Sequence, residues 1–197
     1  PVPARIHYFK GNKQATLTPV GLLDSNKSYR IVVTQGITDA FGRPIRSVLD
    51  IGCGEGVWRA PLLKLRPKLR YLGFDNSEYA IRRYGARRNL HFARFGDFEM
   101  LRPCAPVDLL ICSDVLHYLP TRELDRGLPG LAELCAGVAF LEAFTARDET
   151  EGDNIGFQRR PAKFYRQRLA ALGFGTLGSH CWLSPLRVGD AAALELG

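Results

Sequence analysis

Three glycines recur at every second position where an apolar run ends, in Val48-Leu49-Asp50-Ile51-Gly52-Cys53-Gly54-Glu55-Gly56. That spacing suits a strand that turns sharply into a helix while its backbone passes directly beneath a bound ligand. A side chain at Gly52, Gly54 or Gly56 would block the approach or the dihedrals it requires. The start of the following helix offers free N–H groups, which suit a carboxylate or another anion. Asp75 closes the next apolar run with a carboxylate of two acceptor oxygens. Gly96-Asp97-Phe98 and Ser113-Asp114 close two further runs, and His117 with Tyr118 follows the second of these. A histidine placed there could take a proton from a reacting group. The competing reading is a helix-side or capping histidine with no catalytic role.

These groups need a scaffold, and from Arg46 the chain alternates short apolar runs with amphipathic stretches in the βαβα pattern of a parallel sheet. Strands are expected at 47–51, 70–75, 90–95, 107–113 and 137–146, with two more at 174–183 and 191–196. Helices are expected at 58–65, at 78–87 with Ser77 as N-cap, from Thr121 to 134 with breaks at Gly127-Leu128-Pro129-Gly130, and at 162–172. Pro161 stands at the start of the last helix and Gly173 ends it. The fold class is α/β: a doubly wound, mostly parallel, seven-stranded sheet with helices on both faces. The polar stretch 147–160 reads as a surface loop that could cover a substrate.

Four landmarks at strand ends, in this order, resemble the class I, Rossmann-like S-adenosylmethionine-dependent methyltransferases over residues 46–196. They are the glycine segment, Asp75, Gly96-Asp97-Phe98 and Cys112-Ser113-Asp114-Val115-Leu116-His117. The resemblance implies S-adenosyl-L-methionine as cofactor, with S-adenosyl-L-homocysteine as product. It implies that Asp75 accepts from both ribose hydroxyls, Asp97 accepts from the adenine amino group, and Phe98 presents its backbone N–H to the ring. Ser113 and Asp114 would lie beneath the transferred methyl. Asp50, Gly52, Cys53, Gly54, Gly56 and Asn76 complete the expected cofactor-binding set, and His117 is the candidate base, with His180 less favourably placed.

A glycine-rich turn alone also fits a nicotinamide enzyme. Asp50 stands where dinucleotide fingerprints carry a small or apolar residue, and the third glycine falls two positions after the second instead of three. The later landmarks also favour the methyltransferase. Two nucleic-acid signatures fail: Ser113-Asp114-Val115-Leu116 lacks the paired prolines of amino-methyltransferases acting on bases, and Pro103-Cys104 precedes the fourth strand, where a cytosine-C5 nucleophile does not belong. Catalytically silent methyltransferase-like proteins, and enzymes acting on RNA or protein, are the remaining alternatives.

Bulk properties agree with a soluble enzyme. The 197 residues are 46% hydrophobic and 24% charged, and no apolar run is long enough to cross a bilayer. No secretory leader is visible, and a cytoplasmic location is expected. Five scattered cysteines without a C-x-x-C pair, and four histidines without metal-ligand spacing, point to free thiols and no metal site. The net charge of +7 concentrates in Arg66-Pro67-Lys68-Leu69-Arg70 and Arg82-Arg83-Tyr84-Gly85-Ala86-Arg87-Arg88, read as solvated helix surface rather than a nucleic-acid face. A small-molecule acceptor is therefore expected. The acids of the 147–160 loop (Asp148, Glu149, Glu151, Asp153) beside Arg159 and Arg160 support it, since they would repel a phosphate backbone.

Residues 1–44 do not fit this plan and are expected to be separate from the domain at 45–197. Residues 19–44 show strand and turn signals and weakly resemble the closing strands of a bacterial Ig-like module. An entire sandwich would need about 100 residues, so either a remnant or a short hairpin is expected.

Overall fold

The computed structural model describes residues 4–9, 14–19, 44–148 and 155–189. The chain divides into two compact units, residues 1–34 and 35–197. In the first, β1 (Ala4–Phe9) pairs antiparallel with β2 (Gln14–Pro19) in the register Ala4 to Pro19. These strands precede the stretch in which strand signals were read. Residues 20–43, carrying most of the Ig-like likeness, lie outside the described residues.

The second unit is a seven-stranded sheet. Its strands are β3 (Ser47–Ile51), β4 (Arg70–Asp75), β5 (Leu90–Phe92), β6 (Val107–Ser113), β7 (Cys135–Glu142), β8 (Gly175–Gly178) and β9 (Cys181–Leu183), in the spatial order β5-β4-β3-β6-β7-β9-β8. The first five pair in parallel, and β9 runs antiparallel to both β7 and β8. The chain builds outward from β3 to β5, then returns to lay β6 on the other side of β3. Order therefore reverses between β3 and β6, the place where open α/β sheets leave a crevice at the carboxyl ends of their strands.

Side chains alternate across β3, so each face of the strand feeds a different layer. Leu49 and Ile51 join the larger core under α3 (Thr121–Leu134) and α4 (Ala162–Ala171). Val48 points to the opposite core, with Tyr71, Leu90 and Ile111, beneath α1 (Arg59–Leu65) and α2 (Glu78–Arg88). As expected, Ser77 caps α2, its hydroxyl accepting the Ala80 N–H at 3.2 Å.

Several expectations are corrected. Helix α3 runs unbroken through Gly127 and Gly130, with Pro129 inside it. Its glycines serve close packing: a Cβ at Gly130 would sit 1.8 Å from the Phe98 carbonyl oxygen, and one at Gly127 would sit 2.4 Å from that of Phe95. Strand β5 stops at Phe92, because the chain then turns into a short 3₁₀ helix (Phe95–Glu99) against which α3 packs. The stretch 174–183 is a hairpin rather than one strand. Gly178, Ser179 and His180 all take positive φ and reverse the chain between β8 and β9. The strand expected at 191–196 lies outside the described residues. Among those described, no helix is long and apolar enough to cross a membrane.

Candidate active site

The glycine turn after β3 is built on left-handed backbone, with φ of +74° at Gly52 and +52° at Gly54. The N–H groups of Gly52 and Cys53 both donate to the Phe74 carbonyl, at 2.8 and 3.0 Å, which stitches the turn to the end of β4. Gly52 is obligatory because the loop after β6 closes on it: a Cβ would lie 2.1 Å from Val115 Cγ2. Gly54 is different, since a Cβ there would meet nothing within 4 Å and would project into open space. The Cys53 side chain turns inward and is buried, its thiol pushed to a high pKa chiefly by that burial. Only its backbone can serve a ligand.

Asp75 ends β4 opposite this turn. One carboxylate oxygen accepts the Gly54 N–H at 2.7 Å and the other accepts the Ser77 N–H at 2.8 Å. Each oxygen retains a further lone-pair direction for a ligand. Asp75 and Asn76 line a cleft of about 250 Å³, whose other walls include Ala93, Phe95, Asp114 and Tyr118. Ala93 and Phe95 were missed because a strand was expected to run through them. Their apolar character just ahead of Gly96-Asp97 was the available signal.

Asp97 and Phe98 do not join this cleft. Asp97 accepts the Arg94 N–H of its own turn at 2.8 Å and lines a neighbouring cleft with Arg122 and Arg126. Phe98 is fully buried, its ring edge-on to Phe74 at 5.5 Å, and offers no surface to a ligand. The tight 3₁₀ turn that contains them places neither among the residues lining the Asp75 cleft.

A second cleft of about 250 Å³ lies on the other side of the turn, lined by Asp50, Gly54, Glu55, Trp58 and Ser113. It shares Gly52 and Asp114 with the first, so the two meet at those residues. Asp50 is nearly all buried and takes a hydrogen bond from the Tyr71 hydroxyl. Burial pushes its pKa up to about 6 against the lowering effect of that bond, with the Asp75 charge adding to the rise. Ser113 donates to the Glu142 carboxylate across the β6–β7 register. Glu142, unforeseen from sequence, is thereby held at the end of β7.

Asp114 is the exposed carboxylate of the junction, on left-handed backbone at φ +61°. Its Oδ1 lies 3.1 Å from Nε2 of His117, which is fully buried. The other ring nitrogen, Nδ1, accepts the Phe144 N–H at 3.2 Å. Burial lowers the His117 pKa, opposed by Asp114 and Glu142, and its Nε2 is buried without a hydrogen-bond partner. Beside Asp114 at this junction the structure places His117, the expected candidate base. Its single lone pair is spent on a backbone N–H, and Tyr118, Phe144 and Phe157 enclose the ring. Gly56 stays within the turn at φ +76°, beside Leu90.

Of the polar loop, residues 149–154 lie outside the described residues. Arg160, expected at the rim, is buried and donates to the Leu119 carbonyl at 2.7 Å and the Thr121 hydroxyl at 3.0 Å. It braces the segment that carries Asp114 and His117.

Residues 49–138 match the family described as "Methyltransferase domain". Among curated proteins, the chain is 28% identical over 152 residues to a trans-aconitate 2-methyltransferase of Azoarcus sp. strain BH72, covering 76% of this chain and 58% of that protein. It thus spans well under two thirds of that relative's length. Among solved structures, an S-adenosylmethionine-dependent methyltransferase from Archaeoglobus fulgidus is similar with a TM-score of 0.53 and 21% identity, over 66% of this chain and 62% of that one. An O-methyltransferase of neocarzinostatin biosynthesis, solved with S-adenosyl-L-homocysteine and a dihydroxynaphthoic acid, gives a TM-score of 0.54 and 20% identity, over 71% and 48%.

Proposed function

We propose that this chain is a class I S-adenosylmethionine-dependent methyltransferase that methylates an oxygen or nitrogen of a small molecule, a reading supported by the methyltransferase-domain match over residues 49–138. The observation that carries the reading is the junction at Gly52 and Asp114, placed at the switch in strand order with Asp75 facing it. The lining fits the cofactor. Gly54 leaves open space above the turn, and Asp75 has acceptor capacity left for two vicinal hydroxyls. Ala93 and Phe95 form an apolar wall for a ring, while Asp50 and Asp114 suit a positively charged sulfonium.

When bound, S-adenosylmethionine supplies a methyl carbon already activated by its sulfonium leaving group. The protein's task is then chiefly to hold the acceptor close and aligned. Ser113 and Asp114 stand at the end of β6 for that purpose, and Arg160 and His117 keep their loop in place. A small-molecule acceptor draws support from the Azoarcus relative, whose name gives trans-aconitate as its substrate. Five free cysteines suit a reducing cytoplasm as the site of action.

Calorimetry with S-adenosyl-L-homocysteine and with NAD tests the reading. Saturable binding of the first and none of the second is expected, and the reverse would sink it. Incubating cell extract with methyl-labelled cofactor should then place label in small molecules; label confined to RNA or protein would replace the acceptor class.

A further inference from the structure

The basic cluster at 66–70 lies at the other end of the sheet from the clefts at the glycine turn. It makes the turn from α1 into β4, where the Leu69 N–H donates to the Arg66 carbonyl at 3.0 Å. Beside it the chain enters β3, and the Arg70 N–H donates to the Arg46 carbonyl at 2.9 Å. These two segments line a groove of about 670 Å³, larger than either cleft at the glycine turn. Strand β3 is five residues long, so roughly 15 Å of strand separates the groove from those clefts.

The apolar part of the groove is anchored in the core. Leu69 is buried in one cluster with Val48 and Tyr71, and Ile45 packs against that cluster. Leu65 and Pro67 line the same groove and are exposed. So do Arg46, Arg66, Lys68 and Arg70, while among the described residues of the lining none is acidic or aromatic. The carboxylate beside Arg46 is that of Asp108, whose Oδ2 accepts the Arg46 and Ser47 N–H groups at 2.8 and 3.0 Å and the Ser47 hydroxyl at 3.0 Å. Its charge is engaged by the start of β3. Arg46, Lys68 and Arg70 pair with no carboxylate among the described residues.

Like charges crowded along an apolar strip repel one another until anions compensate them. A ligand with one anionic head would meet only part of that charge. Basic and apolar residues alternate in Arg66-Pro67-Lys68-Leu69-Arg70, and a chain that alternates acids with apolar side chains complements both. Single-stranded nucleic acid would find the charges but no ring on which to stack a base.

We infer that this groove docks an acidic segment of a partner protein, in which aspartate or glutamate alternates with apolar side chains. Its carboxylates lie against Arg46, Lys68 and Arg70, and its apolar side chains cover Leu65 and Pro67. The partner approaches the amino ends of β3 and β4, so the clefts at their carboxyl ends stay open while it is bound.

The test titrates the full chain into a fluorescein-labelled, end-blocked peptide in which glutamate alternates with leucine, read by anisotropy at about 0.15 M salt. Binding should saturate and should weaken as salt is raised. Lys68→Glu with Arg70→Glu should weaken it at least about 10-fold, and Leu65→Ser by about 3-fold or more. The neutral pair Lys68→Gln with Arg70→Gln, which asks less of the fold, should fall between wild type and the charge reversal. The same reversal on α2, Arg82→Glu with Arg87→Glu, should change binding by less than about 2-fold, because distant charges are screened. A peptide with serine in place of each leucine should bind at least about 10-fold more weakly. No saturable binding, equal binding of the serine peptide, or equal loss from the α2 reversal overturns the inference. Tighter binding of oligouridine, abolished by Lys68→Glu with Arg70→Glu, overturns the protein partner in favour of nucleic acid. Calorimetry with S-adenosyl-L-homocysteine should give one affinity with and without the peptide; competition between the two would move the peptide to the clefts and overturn the inference.

Discussion

The Asp75 carboxylate at the end of β4 accepts the N–H of Gly54 in the turn after β3, at 2.7 Å. One side chain thereby fixes the turn and faces the cleft. Replacing it removes charge-assisted bonds worth about 1.5–3 kcal/mol each. Asp75→Ala should therefore weaken S-adenosyl-L-homocysteine binding by at least about 10-fold in calorimetry. Undiminished affinity in a folded variant would place the cofactor elsewhere.

Gly54→Val combines a left-handed φ of +52° with a side chain projecting into the open cleft. The backbone conformation alone costs about 1–2 kcal/mol, so the variant should fold with a lowered melting temperature and bind no homocysteine product. Tight binding would be incompatible with the ligand passing over this turn.

Asp50 carries a pH signature. Its folded pKa, about 6, lies above the ordinary 3.8 because burial disfavours the charge. The group therefore favours the fold below pH 3.8, and that contribution is lost as pH rises through 6. The difference amounts to about 3 kcal/mol at most. Asp50→Asn, which keeps an acceptor for Tyr71, should gain stability over wild type at pH 8 and little at pH 4. Denaturant melts at the two pH values decide; a gain at pH 4 alone would reverse the sign.

Gly130 in α3 approaches the Phe98 carbonyl so closely that a methyl group has no room. Gly130→Ala should destabilise by about 1–3 kcal/mol or more through overpacking, read as a lower denaturation midpoint. A neutral result would mean that α3 shifts freely against the 3₁₀ turn.

The division into two units predicts that residues 1–34 are dispensable to the larger one. A chain beginning at Gln35 should keep the melting behaviour of the sheet domain and its affinity for the homocysteine product. Loss of either would show that the N-terminal unit supports the site.

Local spacing alone specified the glycine turn, Asp75, the strand β6 with Ser113 and Asp114 behind it, and the cap at Ser77. Each is a short-range signal: an apolar run of strand length, a residue that tolerates left-handed φ, or an oxygen beside a helix start. The seven-strand count was legible too, although its last members were not, because three consecutive positive-φ residues at 178–180 fold one apolar run into a hairpin. What only tertiary structure decided is where side chains separated in sequence face each other. Phe98 is core because α3, more than twenty residues later, lies on its turn. Glu142 enters the site only through its register with Ser113. His117 looked like a base because its neighbours in sequence left both ring nitrogens open. The backbone N–H of Phe144, brought beside it just past the end of β7, occupies its Nδ1, a partner that no local pattern in the sequence announces.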